Sequence, residues 1–119
     1  MRLRPEQHLR RQSDFRRVRE EGRRLHCDAF TLWWWPSPDA SVTLRRVGVV
    51  ASTAAVGDAV RRNRAKRRLR EIFRRHQLLL PPSGDLLLVA RRLLNRLPFA
   101  TVEGRFTTLC GQLSAPTHA

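Results

Sequence analysis

Residues 57–75 read Gly57-Asp58-Ala59-Val60-Arg61-Arg62-Asn63-Arg64-Ala65-Lys66-Arg67-Arg68-Leu69-Arg70-Glu71-Ile72-Phe73-Arg74-Arg75. No proline interrupts them, and Asp58 can cap a helix or complement the positive end of its dipole. A helix from Gly57 to about Gln77 is the strongest element in the chain. On a wheel at about 100° per residue, Ala65, Leu69, Ile72, Phe73 and His76 share a sector about 100° wide, the width of a core-facing stripe. Asn63, Arg67, Arg70 and Arg74 stack on the opposite face, with Lys66 on one flank and Arg64 on the other. Glu71 is the only acid from Arg61 to Arg75. Like charges at i, i+4 cost a few tenths of a kcal/mol per pair, about 0.2–0.5. A solvated helix face would interleave Glu with Arg. A row left so unbalanced makes sense if a polyanion neutralises it. It extends over roughly 16 Å at 1.5 Å per residue, enough for several consecutive phosphates.

Working outward, Ser13 to Gly22 reads as a short helix, with Ser13 as its N-cap, Gly22 just past its end, and Phe15 and Val18 on one face. Asp28 to Trp35 reads as a strand. Phe30, Leu32 and Trp34 point to one side of it, Thr31, Trp33 and Trp35 to the other. Aromatics on both faces mean that the strand lies between two layers, or that one face binds something. Pro36-Ser37-Pro38 suggests a tight hairpin connection to a second strand at Ser41–Arg45. Arg46 to Ala51 gives a third strand. After Pro81-Pro82-Ser83-Gly84, the apolar run Asp85 to Ala90 suits a buried central strand. Arg91 to Pro98 is a loop, and Val102, Phe106, Leu109 and Leu113 mark a last helix from about Phe99 to Leu113. The expected fold is α+β, a single domain in the order α-β-β-β-α-β-α. Its four-stranded mixed sheet has helices packed on it and one parallel pair around the basic helix. Residues 1–12 are expected as a basic arm, 13–113 as the folded domain and 114–119 as a flexible tail.

The chain has 119 residues, 24 Lys or Arg against 10 Asp or Glu, and a net charge of +14. Only Lys66 among the 24 cations is not Arg. That length suits one domain. The charge speaks of partners, not fold. The arginine bias, to which a GC-rich genome would also contribute, favours forked phosphate contacts and stacking on bases. No apolar run approaches the length of a membrane span, and the basic start lacks the apolar stretch of a secretory signal. Cys27 and Cys110 are too few for a disulfide scaffold, which fits a reduced, cytoplasmic chain with two structural thiols. His8, His26, His76 and His118 show no metal-ligand spacing, and His76 falls on the apolar sector as a partly buried, satisfied residue. No Gly-rich phosphate loop, paired carboxylates or nucleophile context appears, so neither catalytic nor metal residues are assigned.

Val56 through Glu71, with its Arg62-Asn63-Arg64 core, closely resembles the RNR signature of bacterial ribonuclease P proteins. The resemblance extends over roughly residues 9–113. Asp14-Phe15 with Val18 and Gly22 looks like that family's first helix. Phe30 to Trp33 and Arg46 to Val49 resemble its early strands, and Asp85 to Arg91 its last. The resemblance implies a protein subunit that joins a catalytic RNA in the endoribonuclease that removes the 5′ leader from precursor tRNA. The RNA would supply the active site and the Mg²⁺ ions. The resemblance places Arg62, Asn63, Arg64, Lys66, Arg67 and Arg70 in an RNA-binding set, to which the expectation adds Arg61 and Arg74 from the same helix. A leader cleft at Phe15, Thr31, Trp33 and Ser52 and a left-handed strand-helix-strand crossover, against the general rule, are also implied, and Arg19 is expected in the same cleft, where it could contact a phosphate or stack on a base. The expected partners are the catalytic RNA and precursor tRNA, with no membrane and no small-molecule substrate. Two departures bear on the cleft. Thr53-Ala54-Ala55 stands where two basic residues usually follow the serine, and Arg19 replaces a second aromatic. Trp33 and Trp35 could stack on unpaired bases or be covered by the chain itself. A structural RNA-binding protein, such as a ribosomal one, shares this charge and fold type. A membrane-surface helix would need Leu69, Ile72 and Phe73, which the core also needs.

Overall fold

The computed structural model of the chain describes residues 3–38 and 43–114. A single 3₁₀ turn at Pro5–Gln7 precedes α1 (Gln12–Glu21), β1 (Arg23–His26), β2 (Phe30–Pro36), β3 (Arg45–Val50), α2 (Thr53–Val56), α3 (Ala59–His76), β4 (Gly84–Ala90) and α4 (Phe99–Ser114). The strands form one sheet in the order β1-β2-β4-β3. β2 runs antiparallel to β1 and β4, and β3 runs parallel to β4. The expected α+β fold with a four-stranded mixed sheet is therefore present, and α3 is the crossover between the parallel strands.

Alternation along the strands divides the side chains between two cores. Phe30, Leu32 and Trp34 of β2, Val47 of β3 and Leu86 and Leu88 of β4 face α3 and α4. Ala65, Leu69, Ile72 and Phe73 of α3 meet them, all fully buried, with Val102 and Phe106 of α4. Truncating any one of the large residues here to Ala would cost about 2–5 kcal/mol. The other face carries a smaller cluster of Leu9, Val18 and Leu87, with Phe15, Trp33, Trp35, Val50 and Val89 packed around it. The aromatics on both sides of β2 thus reflect two covered faces. Gly48 lets α1 approach this side: a Cβ there would lie 2.6 Å from the Phe15 ring.

Several expectations are corrected. The strand expected at Ser41–Arg45 is not found among the described residues: Ser41 and Val42 lie outside them, Thr43 and Leu44 are not in a strand, and Arg45 opens β3. The fourth strand is β1, read as a connection from sequence. Arg23-Arg24-Leu25-His26 has no apolar alternation, and its extended form comes from pairing with β2. The Pro36–Pro38 stretch does not close a hairpin, because β3 pairs with β4 and not with β2. The hairpin is instead β1–β2, closed by Cys27 N–H donating to the Phe30 carbonyl at 3.0 Å. α1 begins at Gln12 after Arg11, so Ser13 does not cap it, and Gly22 ends it in an extended conformation at φ −77°.

The N-terminal residues that are described are not a loose arm. Gln7 is buried and donates to Gln77 Oε1 (2.9 Å) and the Arg45 carbonyl (3.1 Å). Leu9 is buried as well, and its N–H donates to the Val47 carbonyl at 2.9 Å. This segment binds the free edge of β3, which would otherwise expose unpaired backbone groups. Of the expected tail, residues 115–119 lie outside the described residues, and Ser114 closes α4.

Candidate nucleic-acid interface

α3 starts where its sequence says it should. Asp58 accepts from Arg61 N–H at 3.0 Å, and Gly57 precedes it at φ +103°, a conformation that favours glycine. The buried stripe fixes the rotation of the helix. Asn63, Arg64, Arg67 and Arg70 consequently face solvent. Among the described residues no carboxylate lies within 4.0 Å of Arg64, Lys66, Arg67 or Arg70. Arg70 lies close to His8, whose pKa is held below its ordinary value by burial first and then by the Arg70 and Arg10 charges.

Arg74 departs from the expected ridge. It grips Glu71 with Nε at 3.0 Å and with Nη2 in a short contact, and Arg75 Nε reaches the same carboxylate at 2.9 Å. Hydrogen bonding from Arg74, then from Arg75, lowers the Glu71 pKa to about 2 against the opposing effect of desolvation. The open row therefore ends at Arg70, one turn earlier than expected. Arg62 is half-buried, with its Nε enclosed and unpartnered, so it does not belong to the outer face. Lys66 is half-buried on the flank. Arg68 turns inward, donating to the Leu94 carbonyl in a short contact and to the Leu97 carbonyl at 2.7 Å. His76 is partly buried and paired with Glu103 Oε2 at 2.9 Å.

On the other sheet face, a groove runs beside α1, lined by Gln12, Phe15, Arg16, Arg19, Glu20 and Val50. Pairing of Val50 with Val89, and of Val89 with Thr31, carries this surface across the sheet. Trp33 is half-buried, with the guanidinium carbons of Arg19 and Arg24 each 5.7 Å from its ring. Trp35 has Arg17 at 5.3 Å. These are cation–π distances, and the Arg19 that replaces an aromatic lies against the aromatic that remains. Two cleft expectations change. Thr31 is buried (7% exposed), beneath the groove surface. The Ser52 hydroxyl accepts from Ala55 N–H at 3.1 Å as the N-cap of α2, a helix not foreseen in the sequence.

Sequence reasoning also missed the clamp under α1. Arg46 forks onto Asp85 with two hydrogen bonds of 2.8 Å and lies 3.7 Å from Asp14. Bonding to Asp85 raises the Arg46 pKa. Asp85, at the head of an apolar strand, was the available signal, since a carboxylate there needs a partner. Cys110 is buried, which pushes its thiol pKa up to about 12, and Cys27 is half-buried. Among the described residues no group of three or more His, Cys, Asp or Glu side chains could hold a metal ion. No described helix is long and apolar enough to cross a membrane.

Fold and surfaces together define a class: a small single-domain α+β protein with a cationic helix ridge over one sheet face and a short helix over an aromatic groove on the other. The family model described as Ribonuclease P matches residues 3–114, and the chain belongs to that family. It is 40% identical over 84 residues to the ribonuclease P protein component of Desulfovibrio desulfuricans, covering 71% of this chain and 63% of that one. It is 46% identical over 86 residues to that of Thermus oshimai, covering 72% of this chain and 50% of that one. The matches thus span half to two thirds of these relatives' length. The Chloroflexus aurantiacus component is 40% identical over 120 positions, with 92% and 82% covered. The solved RNase P protein of Thermotoga maritima superposes with a TM-score of 0.77 at 28% identity, covering 91% of this chain and 98% of that one.

Proposed function

We propose that this chain is the protein subunit of ribonuclease P in the cytoplasm, and that it serves tRNA 5′ maturation by binding RNA twice. The outer face of α3 docks on the catalytic RNA through Asn63, Arg64, Arg67 and Arg70. The groove beside α1 holds the single-stranded 5′ leader of precursor tRNA. The chemistry belongs to the RNA and its Mg²⁺ ions; the protein positions the substrate and offsets phosphate repulsion between two polyanions. The observation that carries this reading is the solvent-facing row from Asn63 to Arg70, which meets no carboxylate among the described residues. Each phosphate it neutralises would release counterions, a favourable and salt-dependent contribution. Near the groove, the half-buried Trp33, with Arg19 and Arg24 each 5.7 Å from its ring, offers an aromatic surface flanked by positive charge.

The test is reconstitution. The purified protein added to its catalytic RNA should restore precursor tRNA cleavage at low Mg²⁺, where the RNA alone is slow. A rate indifferent to the protein would reject the proposal.

A further inference from the structure

At the N-terminal end of the ridge, α2, the first turns of α3 and the loop 91–98 enclose a concave pocket of about 590 Å³. Sites for small ligands commonly measure about 300–1,000 Å³. α2 lines it only with uncharged side chains, Thr53 to Val56, while Arg61 and Arg64 enter from α3 and Arg92 and Arg96 from the loop. Among the described residues, the one carboxylate within reach of these four guanidinium groups is Asp58, 3.5 Å from Arg61. Arg64, Arg92 and Arg96 are exposed and make no side-chain hydrogen bond or ion pair among the described residues.

The loop is built to hold its arginines there. Arg68 donates to the Leu94 and Leu97 carbonyls and lies 5.9 Å from the Phe99 ring. Asn95 Nδ2 donates to the Arg61 carbonyl at 2.9 Å, latching the loop onto α3 beside the pocket. Four like charges are thus brought together with almost no internal compensation, on backbone whose position is already fixed. Arg92 and Arg96 add nothing to the core, so their convergence on Arg61 and Arg64 is not a packing demand. Guanidinium groups arranged around a cavity match the oxygens of a phosphodiester, each offering two parallel donors.

We propose that this pocket binds a phosphodiester of RNA, with Arg92 and Arg96 as binding residues beyond the α3 ridge. The proposal rests on the RNA-binding reading above. The phosphate could come from the catalytic RNA or from the precursor tRNA leader, and the two arms of the test separate them. The full-length protein is titrated with its catalytic RNA, and the holoenzyme with leader-bearing and mature tRNA, each across a salt series. R92A/R96A should lower the log–log salt slope of one arm by up to about 0.7–0.9, the value for one phosphate contact, with an unchanged unfolding temperature. R92K/R96K, which keeps the charge, should restore the slope. If R67A/R70A lowers the slope but R92A/R96A changes neither arm, the pocket proposal is overturned and the ridge stands. If both double variants are silent, the RNA-binding reading itself fails. A slope lost together with a lowered unfolding temperature, and not restored by the lysine pair, would also overturn the proposal, by tracing the loss to altered structure.

Discussion

Removing Arg67 and Arg70 together perturbs the ridge at its centre without touching the core. Both side chains are exposed, and neither meets a carboxylate among the described residues, so R67A/R70A deletes no internal contact of the kind that stabilises the fold. Relief of like-charge repulsion along the helix should leave the folding stability the same or raise it by a few tenths of a kcal/mol (about 0.2–0.5 per pair). Binding is where the loss should appear. Two phosphate contacts at ~0.7–0.9 each lower the log–log salt slope by about 1.4–1.8. Over a fourfold rise in salt, the wild-type affinity for the catalytic RNA should then fall about 7- to 12-fold more than that of the variant. Filter binding or fluorescence anisotropy from 50 to 200 mM monovalent salt, conditions chosen as about the usual range, measures this. A variant whose slope parallels the wild type would place both arginines in bulk solvent and refute the reasoning.

Other expectations follow from individual contacts. W33A removes the ring that Arg19 and Arg24 approach and should weaken holoenzyme binding of leader-bearing precursor tRNA by about 1–3 kcal/mol while leaving mature tRNA unaffected; equal losses in the two titrations would indicate misfolding instead. E71Q removes the carboxylate that Arg74 and Arg75 share and is the reference for what that carboxylate contributes to stability. Because the folded-state pKa of Glu71 is lowered to about 2, its ion pairs contribute stability that is full above the ordinary carboxylate pKa and lost as pH falls toward 2. Wild type should therefore lose its stability advantage over E71Q across that window in acid unfolding followed by circular dichroism. R46M leaves Asp85, 5% exposed, without its forked partner. With Arg46 about one-third exposed, the cost should be about 2–3 kcal/mol, visible as a lowered midpoint in urea unfolding.

Much of this architecture is legible in the residues because periodicity is local. The 3.6-residue spacing of Ala65, Leu69, Ile72 and Phe73 fixes both the buried and the open side of α3, and the apolar run Leu86 to Ala90 marks the central strand. β1 is not legible, because Arg23 to His26 acquires its strand conformation only from β2. The shared carboxylate at Arg74 was within reach: Glu71 stands three residues before Arg74 and four before Arg75, spacings at which side chains on a helix meet. The Arg46–Asp85 clamp was out of reach, because its partners are 39 positions apart and meet only through the parallel register of β3 and β4. The same limit applies to Arg92 and Arg96, whose proximity to Arg61 and Arg64 depends on Arg68 and Asn95 holding the loop.

A photo-cross-linking amino acid installed in place of Arg67, in the holoenzyme assembled with precursor tRNA, tests the docking of α3 most directly. The covalent adduct should contain the catalytic RNA, and excess unlabelled catalytic RNA should suppress it while unrelated structured RNA at the same concentration should not. Adducts formed only with precursor tRNA, or spread over any RNA supplied, would contradict a ridge dedicated to the catalytic partner.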